Sequence, residues 1–589
     1  MHPRPSRLSV LFAGALGLAA CSSGGGEQSN SLTDNNPPLA GTVNDGIGGD
    51  VDSQTSTSTV RANWSGFTDD AGPIAEYRWS IGTTPGGTEL QSWRSVGTST
   101  QASNSALSLA VGTIVFCSVR GYDAAGNEGA VGTSDGVTIT ATTGGGGGGG
   151  GGSQPGTAAS VTQFGITWQF AQPRTVGQFC NGDWWVLGPV SITQITPQCT
   201  TVNGRVINGS MVNPNSAQIA VGQHGYDSTL FGPFSIDGAG QNRYRPELNV
   251  AQNLSASTPL VLNPGTSLIS SVSWTSASPP ASGSLSQLQT AAVLTVLAAQ
   301  PAADAFRPPY SGSDKTVLHR ESDLDYTALG SLAPPTGTPS IGDLAPRFQR
   351  VWLDHMSSWT SRYMHPIDNM PDYGRDFTAL YGSGCLLLMT NATNAQKRDL
   401  LVRMVQIGID NFGNVKNGAT WESVGGQCSG RKFPILLAGA VLNDAPMLAI
   451  GTTHPSGYFG PGNPNNRAQF GEDSSTFYVQ QTSPGVYNWG FGNYDASFNN
   501  LPEWGNGHSH QPQLDNSGWT ADSYRRCCTA NCWIGQTMAA RIMGLRTAWN
   551  HPAYFDYMDR YMQIEAVGQW TRSWEPWHAS WWDTYRTSF

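Results

Sequence analysis

Gly144-Gly145-Gly146-Gly147-Gly148-Gly149-Gly150-Gly151-Gly152 is the stretch on which the architecture of this chain turns. Nine consecutive glycines have no side chains to bury and maximal backbone freedom, so the run reads as a flexible linker with an r.m.s. reach of roughly 15–18 Å. A chain of 589 residues also exceeds a single core, and length predicts about two to four domains. Before the run, Pro38 to Thr142 reads as short strands between turn residues. Val115, Cys117 and Val119 fall on one side of a strand over Ile114 to Gly121, and Trp64, Tyr77 and Trp79 would fill a small sandwich core. After it, Ser160 to about Leu297 is again β-like, with turns at Asn181-Gly182-Asp183, Asn203-Gly204 and Asn208-Gly209. Val190, Ile192 and Ile195 alternate partially with Ser191, Thr193 and Gln194, as a half-buried strand should. This is read as a second, larger β-sandwich.

From about Gly342 the grammar changes. Leu344, Phe348, Val351, Trp352, His355, Met356, Trp359 and Tyr363 recur at three- and four-residue steps, which predicts one broad stripe on a helix. Further helices are expected over Asp376–Met389, Ala395–Phe412, Lys432–Leu442, Cys532–Leu545 and Ala553–Val567, the last with Pro552 in its first turn. Long Gly, Asn and Pro loops separate them, notably Gly451 to Asn531, and ordered loops of that length are usually functional. The expected fold is thus a multidomain chain: a β-sandwich module, a second β-sandwich and a mainly α-helical C-terminal domain.

The N-terminus carries an address. Arg4 and Arg7 precede an apolar run, Leu8 to Ala20, too short to span a bilayer, and Leu18-Ala19-Ala20-Cys21 resembles a bacterial lipobox. That resemblance implies Cys21 as a lipid-carrying mature N-terminus, and Ser22 after it favours the outer membrane. Expected boundaries are a signal over 1–21, a polar spacer over 22–37, a module over 38–142, the linker over 143–157, a second β domain over 158–300 and a helical domain over 301–589. The module resembles fibronectin type III or immunoglobulin-like domains through Trp64-Ser65-Gly66-Phe67, Tyr77-Arg78-Trp79 and Gly121-Tyr122-Asp123-Ala124-Ala125-Gly126-Asn127, and its simplest role is that of a spacer.

Composition narrows the function classes. Only 12% of residues are charged, and removing Arg4 and Arg7 with the signal takes the net charge from -10 to -12. An acidic chain without basic runs is a poor nucleic-acid binder. No later stretch is apolar enough to cross a membrane, so the lipid would be the anchor. Eight cysteines remain after Cys21; in an oxidising compartment their default fate is pairing, with Cys180–Cys199 the expected local bridge and the remaining connectivity open.

Residues 301–589 hold eight of the ten histidines and thirteen of the twenty tryptophans, which selects them as the working domain. Trp and Tyr offer flat faces on which sugar rings stack, and the loop tryptophans Trp421, Trp489, Trp504 and Trp519 are the informative ones. Three polar clusters stand out. The first, His365 to Asp376, contains His365, Asn369, Tyr373 and Arg375 in a loop constrained by Pro366 and Pro371. The second, Trp421 to Lys432, contains Glu422, glycines that let a ligand approach the backbone, and Arg431; its glycine spacing does not match a phosphate loop. The third includes Glu472, Asp473, Tyr478, Glu503, Trp504, His508, His510, Asp515, Tyr524, Arg525 and Arg526. His508-Ser509-His510 near Cys527-Cys528 and Cys532 raises the question of a metal, but adjacent cysteines lack zinc-site spacing. No cofactor is required by the sequence, and calcium held by loop carboxylates stays open.

Two sandwich-like regions and an aromatic, loop-rich helical domain outside the cytoplasm resemble polysaccharide-degrading enzymes with an α/α-toroid catalytic domain. The helices are fewer than a complete toroid needs, and toroid lyases commonly place their sandwich after the helices, so an incomplete toroid or another helical array stays open. The resemblance implies a lyase acting on a uronate-containing polysaccharide, with Tyr373 or Tyr524 and His365 or His508 as base and acid. It further implies Asn369 and Arg375 as carboxylate neutralisers, Arg431 and Arg526 as anion clamps, and Trp421, Trp504 and His510 as substrate contacts. The alternatives are a glycoside hydrolase using carboxylates from Glu422, Asp473, Glu503 and Asp376, or a non-catalytic glycan-binding surface protein.

Overall fold

The structure is a computed structural model, and it describes residues 34–46, 51, 53–54, 56–105, 107–110, 112–139, 145–146, 155–217, 219, 223–230, 243–275, 288–356, 364–367, 374–421, 428–455, 469–488, 494–505 and 524–589. The chain forms two compact units, Met1–Thr143 and Gly144–Phe589. Cys21 lies outside the described residues. Among the described residues no helix is long and apolar enough to cross a membrane.

The first unit is all β. One sheet joins the strands Thr42–Asp45, Val60–Ser65 and Gln101–Asn104; the other is centred on Glu76–Gly82 and Ile114–Tyr122. Alternation along Ile114–Tyr122 buries Val115, Cys117 and Val119 as expected, and they pack with Trp64, Tyr77 and Trp79 into one core. Because this unit closes its own core, a chain starting at Gly144 is expected to melt in the same transition as the larger unit of the full protein. Scanning calorimetry on both proteins checks this; a downward shift of that transition contradicts it.

In the second unit, nine of the strands from 145 to 297 are hydrogen-bonded into one sheet, and Thr200–Val202 with Arg205–Ile207 forms a separate two-stranded pair. The 13-residue strand Ile166–Gln178 accounts for this, pairing along its length with Gly156–Gln163, Trp184–Leu187 and Val190–Thr196. Trp184–Leu187 then runs parallel to Leu288–Leu297. Gly145–Gly146 of the glycine run pairs with Thr162–Gln163, so at least this part of the stretch read as free linker is strand. Val190, Ile192 and Ile195 are buried against Trp168 and Leu294.

The sheet is fastened to the helices by a buried ion triad. Arg307 Nε donates to Asp183 Oδ2 at 2.6 Å, and its two terminal nitrogens donate to Asp410 at 2.9 and 2.5 Å. All three side chains are at most 4% exposed.

Five expected helices form: Gly374–Leu388, Asn394–Lys416, Lys432–Val441, Ala530–Ile542 and Pro552–Ile564. Thr393 starts the second of them with a capping box to Gln396. The stripe makes no helix over 344–356, its described part, and Trp359 and Tyr363 lie outside the described residues. Ile341–Leu344 is one turn, Ala345–Phe348 is a 3-10 turn with Pro346 in it, and 349–356 is irregular. All six residues from Val351 to Met356 are buried, which is burial on every side rather than on a stripe. Two further features lie where the sequence showed loop or nothing: the helix Pro576–Tyr585, and the strand pair Thr476–Tyr478 with Pro502–Trp504 inside the stretch 451–531.

The cysteine expectation is also corrected. Cys180 and Cys199 are free thiols, and the disulfide among the described residues is Cys527–Cys528. Cys180 packs into the helical core and its N–H bonds Ala305, whereas the Cys199 sulfur accepts from Asn249 within the sheet region, so closeness in sequence did not bring the two sulfurs together.

Candidate functional site

The first turn of the helix Gly374–Leu388 lies between two polar clusters, one buried and one at the surface. Phe377 faces the buried one. The Arg431 guanidinium lies 3.7 Å over its ring, and the His365 ring meets it edge-on at 4.8 Å. Asp354 is the centre of this cluster: its Oδ1 is 3.0 Å from His365 Nε2 and 3.1 Å from Arg431 Nε. Its backbone carbonyl accepts from the Trp421 indole at 3.1 Å. Arg431 also donates to the Ser429 carbonyl at 2.8 Å.

Burial alone would raise the Asp354 carboxyl, but Arg431 and His365 outweigh it and hold it at about 2. Burial pulls His365 below its ordinary value against the opposing pull of Asp354, so the ring is neutral at pH 7. An ionised Asp354 can only accept, which puts the ring hydrogen on Nε2 and leaves a lone pair on Nδ1. Among the described residues that Nδ1 has no hydrogen-bond partner.

One residue along, Gly430 links the cluster to a second carboxyl. Its N–H donates to Glu472 Oε2 at 3.2 Å. Gly430 sits at φ +88, and a Cβ there would meet Thr378 Oγ1 at 3.0 Å, so glycine is required at this position. The short helix Gly471–Ser475 carries Glu472 and presses so closely on Cys428 that a Cβ on Gly471 would lie 2.8 Å from its backbone. Glu472 is fully buried and, among the described residues, its Oε1 is unpartnered. Burial, reinforced by the neighbouring Asp473 charge, raises it to about 7. Asp473 itself pairs with Lys432 and accepts from the Trp549 indole at 2.7 Å.

A stability consequence follows from linkage. The folded-state value of Glu472 lies above its unfolded value of 4.5, so its contribution is full below pH 4.5 and is lost as pH rises through about 7. The loss amounts to about 3 kcal/mol. Glu472→Gln should therefore flatten the decline of denaturant stability between pH 5 and pH 8; an unchanged slope contradicts the raised value.

The surface cluster collects at the starts of two helices. Arg375 lies 3.8 Å over the Trp574 ring, donates to the Cys527 carbonyl at 3.0 Å and reaches Asp376 at 3.3 Å. Burial and the Asp376 charge raise Glu575, which is also within electrostatic reach of Arg347. Arg526 is held by Glu565 at 2.6 Å, and Glu503 by Arg525 at 3.0 Å and Arg560 at 3.3 Å.

The structure thus brings His365 and Arg431 together around Asp354, places Arg375 one turn away at the surface, and puts Arg526 in a separate ion pair. It corrects Trp421 and Trp504: both are 0% exposed and are core residues, with no ring face turned to solvent. Asn369, Tyr373, Glu422, His508 and His510 lie outside the described residues, as does the side chain of Tyr524. Sequence reading missed Asp354, whose signal was a charge inside the apolar run Val351 to Met356, and did not single out Glu472 within its cluster. A group of carboxylates suited to a cation, Asp34, Asp69 and Asp70, lies in the first unit with ligand atoms within 4.8 Å of one another.

No family model matches the chain, and no curated protein matches it. Among solved structures it is similar to the chicken CNTN1 FN1-FN3 domains, at 13% identity and a TM-score of 0.14, over 44% of this chain and 67% of that one.

Proposed function

We propose that this protein is a polysaccharide lyase that cleaves a uronate-containing glycan by β-elimination, with its chemistry in the helical part, read as an incomplete toroid or related helical array. The observation that carries this reading is a neutral histidine, His365, in a buried cluster whose Arg431 adjoins Gly430, the residue whose N–H holds a carboxyl raised to about 7, Glu472. Environments that push acid and base apart in this way mark catalytic sites.

His365 Nδ1 takes the proton from the carbon beside the sugar carboxylate, and the electron pair forms a double bond to the neighbouring carbon as its bond to the glycosidic oxygen breaks. Glu472 gives its proton to that oxygen. Asp354 holds the His365 tautomer and stabilises the imidazolium that forms. The test is incubation with acidic and neutral polysaccharides, following ultraviolet absorbance and reducing ends together. Elimination raises both on an acidic glycan; reducing ends without absorbance refute it.

A glycoside hydrolase is the second reading, favoured by one observation. Glu575 is raised by burial and by the charge of Asp376, so a carboxyl of weakened acidity stands within electrostatic reach of a second carboxyl.

The lipobox resemblance assigns the protein to the outer membrane through Cys21. Cys21→Ala should abolish lipid labelling and release the protein from the membrane fraction; retention of both contradicts the anchor.

A further inference from the structure

We propose that Trp570 and Trp574, with Arg375 laid against Trp574, form a glycan-binding subsite at the surface of the second unit, which seats acidic sugar units of a polymer chain. In naming acidic sugars it rests on the elimination reading above. Tryptophan is the largest apolar side chain, and nearly all of those described here are wholly or largely buried. Trp570 and Trp574, at 54% and 37% exposure, are the two that stand among the exposed large hydrophobics of the described residues, and they are four residues apart.

Their setting is built rather than frayed. Trp570 belongs to the 3-10 turn Trp570–Arg572. The Trp574 N–H bonds the Asn531 carbonyl at 3.0 Å, and Arg572, 7% exposed, donates to the carbonyls of Met562 and Glu565 at 3.1 and 2.9 Å. Arg375 joins this turn to the one closed by the Cys527–Cys528 disulfide, through the Trp574 ring and the Cys527 carbonyl.

The chemistry selects the occupant. Indole faces exposed to water take the C–H faces of sugar rings, and a fixed guanidinium beside one of them favours a sugar that carries a carboxylate. Asp376 pairs with the guanidinium and Glu575 lies within electrostatic reach of Asp376; burial and that charge keep Glu575 protonated to higher pH than an ordinary carboxyl, which limits repulsion of an acidic chain. The subsite adjoins the first turn of Gly374–Leu388, the element that contacts the His365 cluster. A polymer long enough to reach both would gain affinity that a short oligosaccharide lacks.

The test uses the full chain and a Trp570→Ala/Trp574→Ala double variant, titrated calorimetrically with polygalacturonate and alginate, and with dextran as the neutral glycan. Both indoles are exposed, so the variant should keep its melting temperature. Expected is binding of an acidic glycan by the parent and weakening by about tenfold or more in the variant, with KM raised on the polymer and turnover of short oligosaccharides unchanged. Arg375→Gln should lose the preference for acidic glycan over dextran. Equal binding by parent and variant, no binding by the parent, or a parent dimer that the double variant dissociates would each overturn the subsite. If binding is lost as expected while the parent yields no ultraviolet-absorbing product, the subsite stands and the elimination reading falls.

Discussion

His365→Ala and Glu472→Gln should each lower turnover of the cleaved glycan by about a hundredfold or more while leaving the fold intact. His365→Ala removes the base and leaves the ionised Asp354 held by Arg431 alone. Glu472→Gln keeps the shape of the side chain and its contact with the Gly430 N–H, but cannot give a proton to the departing oxygen. The pH dependence should identify the two groups. In the parent, turnover rises through the depressed value of His365 on the acid side and falls through about 7 as Glu472 loses its proton. Steady-state rates of parent and variants across pH 4 to 9 check this. Full activity in both variants, on a glycan the parent cleaves, would remove this cluster from the mechanism.

Arg307→Met should destabilise the second unit by about 3–5 kcal/mol, because it strands Asp183 and Asp410 as buried carboxylates without their cation. Asp410 shows why the penalty is large. Burial already raises it even with Arg307 in place, so the unpaired carboxyl would have to take up a proton or admit water. The triad ties the strand region to the helix Asn394–Lys416, so its loss should loosen both parts together. Urea denaturation followed by circular dichroism would show a lower midpoint with one shared transition. Replacing Arg307, Asp183 and Asp410 together by apolar residues should recover much of the loss, since the cost lies in the unpaired charges; no recovery would assign it to packing instead.

The sequence was legible where one physical rule acted alone. The five helices announced themselves by apolar spacing and caps, and the strand Ile114–Tyr122 by its alternation. It misled where burial was complete: Val351 to Met356 mimics a helical stripe only because every residue in it is buried. Trp421 and Trp504 sit in Gly- and Asn-rich surroundings that read as surface, yet tertiary packing buries both. The cysteines failed for a related reason, since Cys180 and Cys199 are near in sequence but serve different cores, while the bridge that forms joins neighbours. Within the site, His365, Arg375 and Arg431 were readable by type and position. Asp354 and Glu472 were not, because the lasting charge of one and the retained proton of the other come from partners distant in sequence and from burial.

The most direct measurement on the central claim is cleavage of an acidic glycan by the full chain in heavy-oxygen water, with the products weighed by mass spectrometry. Elimination breaks the bond without consuming water, so the account predicts unlabelled fragments, one of each pair carrying an ultraviolet-absorbing double bond. One heavy oxygen incorporated for every bond broken, in products without that absorbance, would contradict it and transfer the chemistry to a pair of carboxyls.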